Sequence, residues 1–147
     1  MELKVKLQTM LYSLEGYDDM EEDGYYIDIS TGREYVLWDE LVDGEVNDTL
    51  YEEIVNTPQK YIQLPDNRKI DTFDMMEEFV VSRVYDEKTQ KKLRKTIKQI
   101  KRNGRIFSFG KEVNVLGLLQ NWNDFKDVYY ERFARQWCAK HNILLVD

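Results

Sequence analysis

Three groups of residues have the types and spacing to do chemistry. Cys138 and His141 stand at i, i+3, where a thiol and an imidazole on a helix share a face. A helix surface supplies no oxyanion donors, and no third residue is placed to orient the ring. The pair therefore reads as a part-buried thiol and a cation near a helix C-terminus, where positive charge is favoured. Asp19, Glu21, Asp23 and Gly24 invite comparison with a calcium loop, but that phase puts Ser30 where the bidentate glutamate should stand. The segment also runs into a strand pattern, so it reads as a solvated acidic loop. One His and one Cys cannot build a four-ligand nitrogen and sulfur zinc site within one chain. Neither a metal ligand nor a cofactor ligand is assigned.

The third group is cationic. Between Lys88 and Lys111 the chain carries ten Lys or Arg and no Asp or Glu. Lys91, Lys95, Lys98, Arg102 and Arg105 recur at steps of four, three, four and three, which lines them up on one side of a helix. Such a row can bind anions, and nucleic acid above all, because Lys and Arg release the counterions condensed on phosphates. Phe107 and Phe109 follow directly and could stack on bases, although core packing is the stronger reading of that pair. Against a dedicated nucleic-acid domain stands the acidic balance of the whole chain, with a sequence pI near 4.9. The row can equally be a solvated face or be paired by acids elsewhere in the chain.

Glycine-rich phosphate loops and a serine nucleophile elbow are absent. Carboxylates are plentiful, but nothing in their spacing selects an acid/base pair. No catalytic residue is assigned, and the class leans away from enzymes.

The elements that position these residues follow from periodicity. Val5 and Leu7 belong to a short entering strand, and from Leu7 the spacing changes to Leu7, Met10, Leu11 and Leu14, a helical stripe that Gly16 would end in the left-handed conformation. Tyr25, Ile27 and Ile29 alternate with Tyr26 and Asp28; after the turn residues 30–33, Glu34 to Trp38 gives the second arm of a hairpin. Residues 39–48 read as acidic and irregular. A short helix over Thr49 to Asn56 is closed by Pro58, and Tyr61, Ile62 and Leu64 form a third strand before Pro65. Asp71 or Thr72 caps a helix carrying Phe73, Met76, Phe79, Val80 and Val84. The cationic helix then runs from about Asp86 to Asn103, stopped at Gly104, with a thin apolar stripe of Leu93, Ile97 and Ile100. A short helix with Val113 and Leu116 ends near Gly117, and Leu118 and Leu119 plug the core. A final helix spans about Trp122 to His141 with Phe125, Tyr129, Phe133 and Trp137 at core spacing, and Ile143 to Val146 forms an edge strand or packed tail.

Charge divides the chain. Residues 1–57 carry 3 basic and 16 acidic side chains, a net −13, whereas residues 58–147 are net +6. Asymmetry of this kind signals a charged partner or mutual attraction of the halves. The N-terminal stretch lacks the apolar region of a signal peptide, no apolar run approaches the roughly 20 residues of a membrane helix, and the lone Cys138 fits a reducing compartment. A cytoplasmic protein without membrane contact is expected.

The order of landmarks is also familiar. Tyr61-Ile62-Gln63-Leu64-Pro65 precedes Met76-Glu77-Glu78-Phe79; a charged helix runs into Gly104-Arg105-Ile106-Phe107-Ser108-Phe109; then come Leu116-Gly117-Leu118, Trp122-Asn123-Asp124-Phe125 and Trp137. This resembles the bacterial group catalogued as uncharacterised protein family 0158, best from Tyr61 to Ile143, with the Thr31-Gly32 hairpin turn alike before that. The resemblance implies a small cytoplasmic bacterial protein and brings no activity with it.

The expected fold is α+β in one domain. A small antiparallel sheet, built from the N-terminal hairpin plus one or two further strands in the first 65 residues, packs against a C-terminal helical layer. The expected function is a nonenzymatic protein-interaction or regulatory module, binding a protein partner or itself. The alternative is a nucleic-acid-associated regulator using the cationic helix. Any Trp or Tyr left exposed, among Trp38, Trp122, Tyr129, Tyr130 and Trp137, would mark the interface.

Overall fold

The computed structural model describes residues 2–16, 21–104 and 107–147. The fold is α+β, with a four-stranded antiparallel sheet, a parallel strand pair and a helical C-terminal part. Two compact units divide the chain: Met1–Ile70 with Glu131–Asp147, and Asp71–Tyr130.

Unit 1 holds both sheets. β1 (Leu3–Lys6) leads into α1 (Leu7–Glu15), whose buried side is Thr9, Met10, Ser13 and Leu14. Gly16 ends α1 with an extended backbone (φ −82°, ψ 144°) instead of the expected left-handed one. Its N–H still caps the helix by donating to Tyr12 and Ser13 carbonyls, so the C-cap needs no positive φ here. The antiparallel sheet has the order β4-β3-β2-β5, made from β2 (Gly24–Asp28), β3 (Glu34–Trp38), β4 (Leu41–Val42) and β5 (Tyr61–Gln63). Tyr26, Ile27 and Asp28 of β2 are all buried, so both faces of the strand are covered at that end; Gly24 and Tyr25 are half-buried, and Ile29 falls outside the strand, exposed.

The stretch 39–48 is more regular than its composition indicates. Asp39 and Glu40 both have positive φ (56° and 63°) between β3 and β4, the backbone of a tight two-residue hairpin turn. Asp43 and Gly44 repeat it (φ 53° and 82°), bridging Val42 to Glu45. α2 (Asp48–Asn56), capped by the Asn47 side chain accepting from Leu50 N–H, lays Ile54 over one sheet face with Tyr26, Tyr35, Leu37, Val42 and Tyr61. Ser13 Oγ donates to the Pro65 carbonyl at 2.7 Å, joining α1 to the chain beyond β5. β6 (Ile143–Val146) pairs in parallel with β1, Leu3 opposite Ile143 through Lys6 opposite Val146.

Unit 2 is helical. α3 (Thr72–Arg83) is capped by Asp71, whose carboxylate accepts from Asp74 N–H at 3.0 Å. α4 (Glu87–Asn103) is capped by Asp86, which accepts from the N–H and hydroxyl of Thr89. Those bonds, the hydroxyl's foremost, hold the Asp86 carboxyl below its usual range. Gln90 Nε2 donates to the Val84 carbonyl at 2.6 Å and pins the turn between the two helices. Gly104 closes α4 at φ 69°, where its N–H reaches the Ile100 carbonyl.

α5 (Phe107–Val115) and α6 (Leu119–Lys140) follow; α6 belongs to unit 2 as far as Tyr130 and to unit 1 from Glu131. α6 begins three residues before the expected Trp122, and Leu119, expected in the core, is exposed on its first turn. Phe79 is the hub of the unit 2 core, with ring centroids of Phe109, Trp122 and Phe125 at 6.3, 5.1 and 5.5 Å, all edge-on. Further along α6 the buried positions are Ala134 and Cys138, while Phe133 and Trp137 are half-buried. Among the described residues no buried side-chain N or O lacks a hydrogen bond.

Candidate binding surfaces

The cationic row is carried by α4. Leu93, Ile97 and Ile100 turn one side of the helix into the unit 2 core. At 100° per residue, Lys91, Lys95, Lys98 and Arg102 cluster on the opposite side, and all four are exposed. They extend over about 16 Å of helix axis. Among the described residues none of the four has an ion-pair partner. The one α4 cation drawn into an ion pair there is Lys101, 2.8 Å from Glu77 on α3. Arg105 lies outside the described residues. Phe109 is buried at the Phe79 hub, so it packs instead of offering a stacking face.

A second surface lies in unit 1. The outward side of β3 presents Val36 and Trp38, and α1 presents Tyr12; with Tyr25 of β2 they line a cleft of about 210 Å³. Tyr12 is 54% exposed and Trp38 56%, large values for side chains that normally bury 150–250 Å². Asp23 and Asp66 are the acidic residues of the lining. Gln63 Nε2 holds the approach to β2 by donating to the carbonyls of Glu21 (3.0 Å) and Asp23 (3.2 Å). Burial would raise the Asp66 carboxyl, but the Arg68 guanidinium and N–H bonded to it outweigh that and hold it low. Of the cleft's aromatic residues the sequence marked only Trp38 as an interface candidate, and placed Tyr25 in the hairpin without a role. The signal for Val36 was present in the β3 alternation, but Tyr12 is a helical residue brought there by the fold.

Cys138 is buried, and burial pushes its thiol up to about 11, the reverse of an activated thiolate. His141 is exposed and stacks on Trp137 with ring centroids 4.0 Å apart, its Nδ1 2.8 Å from the Trp137 carbonyl. Among the described residues no group of three His, Cys, Asp or Glu is placed to hold a metal ion. Asp19 lies outside them. No helix among the described residues is long and apolar enough to cross a membrane.

These features define an α+β protein whose distinguishing surfaces are an aromatic cleft and a cationic helix face. The chain belongs to the Uncharacterised protein family (UPF0158), whose family model matches residues 2–146. No curated protein and no solved structure matches it.

Proposed function

We propose that this protein is a nonenzymatic interaction module of the cytoplasm that docks a protein partner, or a second copy of itself, through the aromatic cleft of unit 1. One observation carries the reading: Tyr12, Val36 and Trp38 stay exposed around a single concavity while most of the large apolar side chains are buried. Tyr and Trp are the residues that most often dominate interface energetics, and scattered surface aromatics would not share one cleft. A buried, unpaired Cys138 fits a reducing compartment.

The test compares wild type with a Tyr12→Ser/Trp38→Ser variant by sedimentation and by quantitative affinity capture. Both side chains are more than half exposed, so the variant keeps its fold. Loss of a dimer, or of a captured protein, in the variant alone supports the cleft. Identical mass and identical captured proteins in the two would sink it.

A nucleic-acid-associated regulator is the second reading, supported by the exposed run of Lys91, Lys95, Lys98 and Arg102, which has no ion-pair partner among the described residues. Fluorescence anisotropy against duplex DNA and single-stranded RNA across salt decides it. Affinity falling steeply with salt, with a slope reduced by roughly one for each cation changed to Ser, places the row on phosphates. Absence of binding at low salt removes this reading.

A further inference from the structure

We infer that the groove between α3 and α4 is a docking site for an acidic amphipathic helix with an aliphatic anchor. It lies wholly in unit 2 and is independent of the aromatic cleft. Val80 and Ile97 form an apolar floor, and Val81, 69% exposed, continues that floor into solvent within a concavity of about 350 Å³. Both helices are fixed at the turn by the Gln90 to Val84 bond, so the groove is preformed.

Charge selects the occupant. Arg94, Lys98 and Lys101 line the α4 side, and Glu77 is the one carboxylate lining the groove, already engaged with Lys101. Among the described residues Arg94 and Lys98 have no ion-pair partner. A cationic edge over an apolar floor needs a ligand with both anionic and aliphatic groups. Duplex DNA offers phosphates without an aliphatic anchor, whereas a helix with Glu on one side and Leu beside it offers both. The three cations stand at i, i+4 and i+7, about 10 Å along α4, which matches Glu residues at the same spacing on a facing helix. Lys98 is the one residue shared with the α4 row; Val81 and Arg94 belong to the groove alone.

The experiment uses the full chain and a fluorescein-labelled synthetic helix carrying Glu at i, i+4, i+7 and Leu on the adjoining face. A control peptide has every Leu changed to Ser at equal charge, and a second probe is labelled duplex DNA. The Leu peptide should bind at least about tenfold tighter than the Ser peptide, and Val81→Gln or Arg94→Gln/Lys98→Gln should each weaken it by about tenfold. Lys91→Ser/Lys95→Ser should leave it unchanged. Circular dichroism establishes that the variants keep their helices. Equal binding of the two peptides, indifference to Val81→Gln, or binding of DNA alone would each overturn the assignment.

Discussion

Lys101 Nζ and Glu77 Oε1 lie 2.8 Å apart across the α3–α4 hairpin, and the same ammonium stands 5.5 Å from the Phe73 ring. One α4 cation thus ties the two helices together while those on the far side of α4 face solvent. Both partners of the pair are about half exposed, which limits its worth to roughly 0–1 kcal/mol. Lys101→Gln should therefore lower stability by less than about 1 kcal/mol in urea titration, with the difference shrinking in high salt. A loss of several kcal/mol would show that the hairpin depends on this contact.

The unit 2 core makes a larger prediction. Phe79 is fully buried and touches three aromatic rings edge-on. Phe79→Ala should cost about 3–5 kcal/mol by the transfer and cavity terms together. Urea unfolding followed by tryptophan fluorescence measures it, since Trp122 belongs to the same cluster.

Cys138 gives a pH prediction. Its thiol is raised from 9.0 to about 11 by burial, so between those values the unfolded chain loses its proton first. The Cys138 contribution to stability is complete below pH 9 and declines as pH rises toward 11. Cys138→Ala should remove that component of the alkaline decline. Native protein should also resist alkylation at neutral pH and react fully once unfolded.

Asp28 works in the opposite direction. Its Oδ1 accepts from the Ser30 hydroxyl at 2.7 Å and N–H at 2.8 Å, and the hydroxyl bond is the largest cause that holds its carboxyl below 3.8. The stabilisation is present above that value and lost as pH falls through the lowered one. Asp28→Asn should be less stable than wild type at neutral pH, with the gap closing under strong acid in thermal melts.

The β3–β4 turn can be improved. Asp39 and Glu40 hold positive φ without a glycine, at an expense of about 1 kcal/mol for a residue such as Glu. Asn-Gly is the pair this backbone prefers, so Asp39→Asn/Glu40→Gly should raise stability by about 1 kcal/mol. An unchanged or lower melting temperature would mean that neighbouring contacts already offset the strain.

Local signals were legible in the sequence; long-range ones were not. Asp71, Asp86 and Gly104 mark helix ends by short-range hydrogen bonding, and Leu93, Ile97 and Ile100 mark the buried side of α4 by spacing alone. β4 was hidden because two residues give no period, although Asp43-Gly44 carried a turn signal. Burial of the consecutive Tyr26, Ile27 and Asp28 depends on what packs over each face of the sheet, which periodicity does not report. Half-buried Phe133 and Trp137 follow the same logic, because one long helix changes its buried side as its surroundings change. The four exposed cations were recognisable as a row, whereas the cleft needed Tyr12 and Trp38, 26 positions apart, to be brought together.

The parallel pairing of β1 with β6 sets a timetable for the nascent chain. Leu3–Lys6 is made well before its partner Ile143–Val146, with residues 7–142 between them. Unit 2 is a contiguous segment and emerges entire while unit 1 still waits for β6. Until Ile143–Val146 is made, Leu3 and Val5 lack their partner strand, so β1 is secured long after it is translated.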